Sequence, residues 1–282
     1  MGTDGAMPLL RRVRLGGVDL AYRLGGAGPA VVLVHGSWED HRTWDRVAAQ
    51  LRATCTVLVY DRRGHSASTA PPGQGRIAED VEDAAALLRH LGLGPATVVG
   101  HSYGSSVALL LAMRHPELTA RLVVHEPPLF AQLAGHPTWE QVAARSSAVM
   151  AEVARGLEAG ETEAAVRRFV EQVGFGPGSW DGLFDDRGRA TALANADTWL
   201  DQSRDPERLA VDLTPLRDAP VPVTVTSGSA SLPAYPEIAR RVVAALPTAE
   251  LVVVPGAGHG VQLSHPAAFA ELVRARAVTA PR

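Results

Sequence analysis

Short stretches that are apolar at nearly every position recur along the chain, at 31–34, 56–60, 96–99, 122–124, 221–226 and 251–254. A strand with one wet face alternates apolar and polar residues, so continuous runs of this kind predict strands covered on both faces. Longer segments with helical spacing lie between them. In 77–91, Val81, Leu88 and Leu91 fall on one helical face and Gly92 follows; in 103–115, Val107, Leu110 and Leu111 do so and Pro116 follows. Strands alternating with crossover helices predict an α/β fold, a doubly wound, mostly parallel sheet. Segment 18–23 and the residues before it alternate more strictly, which predicts an antiparallel hairpin at the N-terminal edge.

From Pro127 to Leu216 the strand pattern disappears for about ninety residues, far longer than an ordinary connection. An inserted helical cap accounts for it, with residues 1–126 and 217–282 forming the core domain and 127–216 the cap. Thr138 and Gln141 read as a capping box ahead of Val142, Val149 and Val153, while Val166, Phe169, Val170 and Val173 stand at helical spacing. A third helix is expected over 190–202.

Composition narrows the function classes. The 282 residues are 46% hydrophobic and 20% charged, enough for one large core. The formal net charge is −3, and the 27 basic residues, all arginine, form no excess that would condense onto phosphate backbones or anionic lipid. Neither nucleic acid nor a membrane surface is an expected partner. Cys55 is the single cysteine, so no disulfide within the chain and no cysteine-rich metal site is expected. No apolar run approaches the roughly 20 residues of a bilayer span, and the start of the chain is polar and Gly-rich, so the cytoplasm is the expected compartment.

Three motifs carry chemistry. Gly100-His101-Ser102-Tyr103-Gly104 joins a predicted strand to a predicted helix, the context in which a serine sits on a sharp turn with its hydroxyl exposed. The flanking glycines remove the Cβ atoms that such a turn would bring into collision. His35-Gly36-Ser37-Trp38 ends the strand at 31–34 and is placed to present the Ser37 N–H beside the Tyr103 N–H, two donors that would make an oxyanion hole. His259, in Pro255-Gly256-Ala257-Gly258-His259-Gly260, follows the last predicted strand, at the sheet edge where parallel folds place their chemistry. A fourth segment, Asp61-Arg62-Arg63-Gly64-His65-Ser66, reads as a structural turn held by an Asp–Arg pair.

Taken in order, these motifs resemble the α/β-hydrolase superfamily, in its serine-nucleophile form with a helical cap, over nearly the whole chain. The resemblance implies Ser102 as nucleophile, His259 as base, and no metal or organic cofactor. It also implies an acid a few residues after the strand that runs up to Ser227-Gly228, and here the chain departs: Ser231 occupies that position. A serine can orient an imidazole but cannot stabilise its charged form. Glu126, after the strand at 122–124, is the expected acid instead, as in enzymes of this fold that place the acid there.

The expected activity is hydrolysis of a small or medium apolar ester, lactone or thioester through an acyl-enzyme on Ser102. A cofactor-free lyase, cyclase or C–C bond hydrolase on the same fold is the alternative, and a ligand-binding pseudoenzyme a third class. The expected partner is a small-molecule substrate, with a homodimer left open. Of the cap aromatics Trp139, Phe169, Phe175, Trp180, Phe184 and Trp199, most are expected to be cap core and some to line the pocket.

Overall fold

A computed structural model describes residues 8–71, 73–209, 211–218 and 221–277. In chain order the elements are β1 (Arg11–Leu15), β2 (Val18–Gly25), β3 (Ala30–Val34), α1 (Asp45–Leu51), β4 (Thr56–Tyr60), α2 (Ile77–Leu91), β5 (Ala96–His101), α3 (Tyr103–Arg114) and β6 (Thr119–His125). Then come α4 (Pro137–Glu158), α5 (Thr162–Phe169), α6 (Ser179–Gly182), α7 (Asp186–Ala194), α8 (Ala196–Ser203) and α9 (Thr214–Arg217), and finally β7 (Val223–Gly228), α10 (Ala234–Ala245), β8 (Ala249–Val254), α11 (Val261–Ser264) and α12 (Pro266–Arg274). The sheet runs β1-β2-β4-β3-β5-β6-β7-β8. Its first two pairings are antiparallel and the other five parallel, as the early alternation and the later continuous runs predict. No helix of the described residues is long and apolar enough to cross a membrane.

The continuous apolar runs are explained by where successive side chains go. In β3, Val31 and Leu33 enter a core with Trp44, Val47 and Leu51 of the α1 layer and Phe269 and Val273 of α12. Val32 and Val34 point the other way, into a larger core with Val81 and Leu88 of α2 and Val107 and Leu111 of α3. Each fully buried side chain of this size contributes roughly 1.5–3 kcal/mol, so both faces of the sheet anchor its central strands. The run in β8 is different: it is an edge strand, and Val253 stays 51% exposed. β7 also begins two residues later than the apolar run at 221, because Pro222 has no N–H to give to a ladder.

Between β6 and β7 the described residues hold helices and turns and no strand. Two local expectations fail there. Thr138 is not a cap, because α4 starts at Pro137, whose ring presets the helical φ, with His136 before it and no side-chain cap. The helix expected over 190–202 is two helices, α7 and α8, split at Asn195. That side chain is held elsewhere: its amide donates to the Glu39 carbonyl (2.9 Å) and its oxygen accepts the Ser66 N–H (2.9 Å), tying the helices to two loops of the sheet edge. The expected Asp–Arg pair in the 61–66 turn is absent as well. Asp61 accepts from the His41 ring (2.6 Å), and Arg62 reaches Asp80 (3.1 Å), because each finds its counter-group on a neighbouring element.

Candidate active site

The register of the sheet gathers the chemistry at one edge. His101 pairs with His125 across β5 and β6, and His125 with Thr226 across β6 and β7, so Ser102 and Glu126 leave the sheet side by side, next to Ser227 of β7. Ser102 N–H donates to the His125 carbonyl (2.9 Å) and Glu126 N–H to the Thr226 carbonyl (3.1 Å). Gly228 pairs with Val254 at the end of β8, which delivers the loop carrying His259 to the same place.

Ser102 adopts φ 52°, ψ −123°, a backbone state that L-residues rarely hold. The elbow survives because its neighbours have no side chains: a Cβ on Gly100 would lie 2.4 Å from the Gly104 carbonyl oxygen, and one on Gly104 2.3 Å from that of Val34. Tyr103 opens α3, so its N–H has no acceptor within the helix. The Ser37 N–H is likewise taken by no protein acceptor among the described residues. The loop presenting it is braced: Arg62 donates to the Gly36 carbonyl (3.1 Å), Arg62 N–H donates to His35 Nε2 (3.0 Å), and the Glu39 carboxylate accepts the Gly36 N–H (2.9 Å).

Glu126 stands at φ 47° with its carboxylate fully buried. Oε2 accepts from His259 Nδ1 at 2.8 Å. Oε1 accepts from Ser227 Oγ (2.9 Å), Gly228 N–H (2.8 Å) and Ser231 Oγ. Burial opposes ionisation of this carboxyl, but the adjacent His125 ring and the hydrogen bond from His259 outweigh it and bring its pKa down to about 2. An ionised carboxylate only accepts, so His259 carries its proton on Nδ1 and leaves Nε2 bare. Burial lowers the pKa of His259 itself, against the pull of Glu126, so the ring is held neutral. Tyr235 stacks on it (4.2 Å between centroids) and Phe175 meets it edge-on (5.1 Å), fixing its plane. Ser231 and Glu126, alternatives in the sequence, are bonded partners here.

Ser102 Oγ is hydrogen-bonded to neither nitrogen of His259 in this structure. Several groups around it were given no role by the sequence motifs. His101 faces two acceptors, the Glu39 carboxylate through Nδ1 (2.9 Å) and the His259 carbonyl through Nε2 (2.9 Å), and Gln262 donates to Glu39 (2.8 Å). These contacts join the elbow, the 35–39 loop and the His259 loop. Their only sequence signal is position, His101 inside the elbow and Glu39 three residues past Gly36. Of the six aromatics expected in a cap, Phe175 touches His259, Phe184 packs on Phe175 (4.9 Å), and Phe169 and Trp199 pack on Trp38 (5.2 and 5.0 Å). A crevice of about 310 Å³ between Trp38, Arg42, Phe184 and Thr191 reaches this ring layer from outside. Asp40, His41 and Asp61 lie close enough to share a cation, but Arg42 and Ser66 already bond Asp40, and Asp61 is bonded to His41.

A model of the alpha/beta hydrolase family matches residues 31–272. Lipase LipV of Mycobacterium tuberculosis is 42% identical over 113 residues, 39% of this chain and 42% of its own. The uncharacterized hydrolase YraK of Bacillus subtilis is 39% identical over 122 residues, 43% of this chain and 45% of its own. The chain thus spans less than half the length of the curated relatives it matches, down to 36% for some. Over nearly full length it is similar to the crystal structure of an alpha/beta hydrolase from Sphaerobacter thermophilus, with 26% identity, coverage of 94% of this chain and 99% of that one, and a TM-score of 0.73.

Proposed function

The chain belongs to the alpha/beta hydrolase family, and from that premise we propose that it is a serine hydrolase acting on a small or medium ester, lactone or thioester with a largely apolar body. The observation that carries the reading is the 2.8 Å bond between His259 Nδ1 and the buried Glu126 carboxylate, one strand away from a serine held on a left-handed elbow. LipV, named as a lipase, supports it from the side of sequence.

In the proposed cycle Ser102 turns about χ1 to reach His259 Nε2, a bond that substrate binding tightens. His259 takes the Oγ proton as Oγ attacks the carbonyl carbon, and Glu126 stabilises the imidazolium that forms. The Ser37 and Tyr103 N–H groups receive the oxyanion, a contribution of roughly 3–4 kcal/mol per donor in sites of this kind. Collapse of the tetrahedral adduct expels the leaving oxygen or sulfur, which takes the proton from His259. Water then gives a proton to His259, its oxygen attacks the acyl carbon, and Ser102 departs with that proton. Residues 127–216 act as a lid that narrows access and keeps bulk water out between the two half-reactions.

Steady-state hydrolysis of p-nitrophenyl butyrate tests the reading. Ser102→Ala is expected to lower kcat by several orders of magnitude. A Ser102→Ala protein that turns the ester over at the wild-type rate contradicts it.

A further inference from the structure

His101 is buried inside the elbow, and both of its ring nitrogens face acceptors. Nε2 lies 2.9 Å from the His259 carbonyl and Nδ1 2.9 Å from Glu39 Oε2. A neutral imidazole has one proton and can serve only one of them. The Gln262 amide nitrogen is 3.1 Å from Nδ1, but it is a donor already given to Glu39 Oε1 (2.8 Å), and a bare Nδ1 would set its lone pair against a carboxylate oxygen. A proton on each nitrogen satisfies both acceptors. The pair is also balanced in charge: burial opposes ionisation of Glu39, yet the charge and hydrogen bond of His101 outweigh it and hold the carboxyl below its ordinary value.

The two acceptors belong to the two halves of the site. The carbonyl is that of the base, so His101 holds the main chain of His259 while Glu126 holds its ring. Glu39 Oε2 also accepts the Gly36 N–H (2.9 Å), in the loop that presents Ser37, and its Oε1 accepts from Thr43 Oγ1 (3.0 Å). The His101 ring stands 4.7 Å from that of His259, close enough for its charge to oppose a second one there. Burial lowers the pKa of His259, Glu126 raises it, and the charge of His101 adds to the lowering. The other ionisable groups facing these two rings are Glu39, His125, Tyr235 and, across the loop, His35.

We propose that His101 is a positioning residue of the reaction, a doubly protonated ring that clamps the His259 main chain to the oxyanion loop through Glu39 and sets a positive charge beside the base. The proposal rests on the serine-hydrolase reading for the role of His259. His101 touches no substrate and transfers no proton in the cycle; it acts through the place and the charge it imposes on its neighbour. A base displaced by an ångström loses up to about a hundredfold in rate.

Histidine side-chain NMR of the wild-type protein tests the charge directly. With isotopically labelled histidine at neutral pH, the His101 ring, assigned through its contacts with Trp44 and Phe175, is expected to carry protons on both nitrogens. A ring with one proton overturns the proposal. Two variants test the clamp through hydrolysis of p-nitrophenyl butyrate. His101→Gln keeps a donor where Nε2 was, His101→Asn keeps one where Nδ1 was, and both remove the charge. His101→Asn is expected to lower kcat by about tenfold or more with KM changed less than about twofold, while His101→Gln keeps most of kcat. In both, the acid limb of kcat/KM is expected to move to higher pH, because the His101 charge acts on His259 more strongly than that of Glu39, which opposes it. A loosened site shifts the limb only where kcat falls, so its movement in His101→Gln separates charge from packing. Equal losses in the two variants, or a limb that stays in place in His101→Gln, overturn the proposal. Should either variant fail to fold, the proton count on His101 in the wild type still decides. Failure of the hydrolase reading shows elsewhere, as ester turnover that survives Ser102→Ala, and leaves that proton count unchanged.

Discussion

Glu126→Gln removes a charge while keeping nearly the same shape, and the structure fixes which way the new amide must face. Oε1 sits among three donors, Ser227 Oγ, Gly228 N–H and Ser231 Oγ, so the glutamine oxygen has to take that side. Its NH₂ then points at His259 Nδ1, where the carboxylate oxygen was. Two N–H groups cannot face each other, so His259 shifts its proton to Nε2, and the nitrogen that should accept from Ser102 is no longer a base. Flipping the amide instead sets its NH₂ against three donors. Either outcome removes base catalysis, worth about 10²–10⁴ in rate or roughly 3–5 kcal/mol. The assay is kcat for p-nitrophenyl butyrate, with the urea midpoint checked to show that the variant is folded. Ser231→Ala removes one of three donors to Oε1 and is expected to cost less than about tenfold. A near-silent Glu126→Gln beside a crippling Ser231→Ala refutes the reasoning, because it would mean that a neutral hydroxyl orients the ring.

Three further outcomes follow from packing and titration. Gly104→Ala would press a Cβ to 2.3 Å from the Val34 oxygen and 2.5 Å from the His35 oxygen, both main-chain atoms, so urea denaturation is expected to show a loss of at least about 3 kcal/mol. Asn195→Ala removes the bonds to Glu39 and Ser66, so amide hydrogen exchange in α7 and α8 is expected to speed up while exchange in β3 and β5 stays slow; equal acceleration everywhere contradicts this. Burial holds His35, His65, His125 (to about 3) and His259 below the ordinary histidine value. The unfolded chain therefore takes up protons near pH 6.5 that the folded chain refuses, and stability falls from pH 7 to 5.5 by at most about 1.4 kcal/mol per pH unit for each histidine. Asp45, Asp80 and Asp83, raised by burial, act in the opposite sense but closer to the carboxylate range. A urea midpoint that rises on acidification across this window contradicts the argument.

What the sequence disclosed was local or periodic. The strands at 31–34 and 96–99 announce themselves because both faces are covered, and the elbow because a glycine must stand two positions either side of the serine for the turn to exist. Glu126 was legible only as a rival to Ser231. Their cooperation depends on β6 and β7 being neighbours, a fact of register that separates the two residues by 105 positions in the chain. The break at Asn195 was hidden for the same reason: helical spacing continues through it, and the bonds that divide α7 from α8 go to residues 129 and 156 positions away.

The central claim is that Ser102 becomes covalently acylated, and the most direct measurement is the mass of the protein and of its peptides after treatment with a fluorophosphonate. The account predicts one adduct, mapped to Ser102, forming at a rate that Glu126→Gln slows and Ser102→Ala abolishes. An unmodified Ser102 in protein that still hydrolyses esters, or an adduct on another residue that inactivates the enzyme, contradicts it.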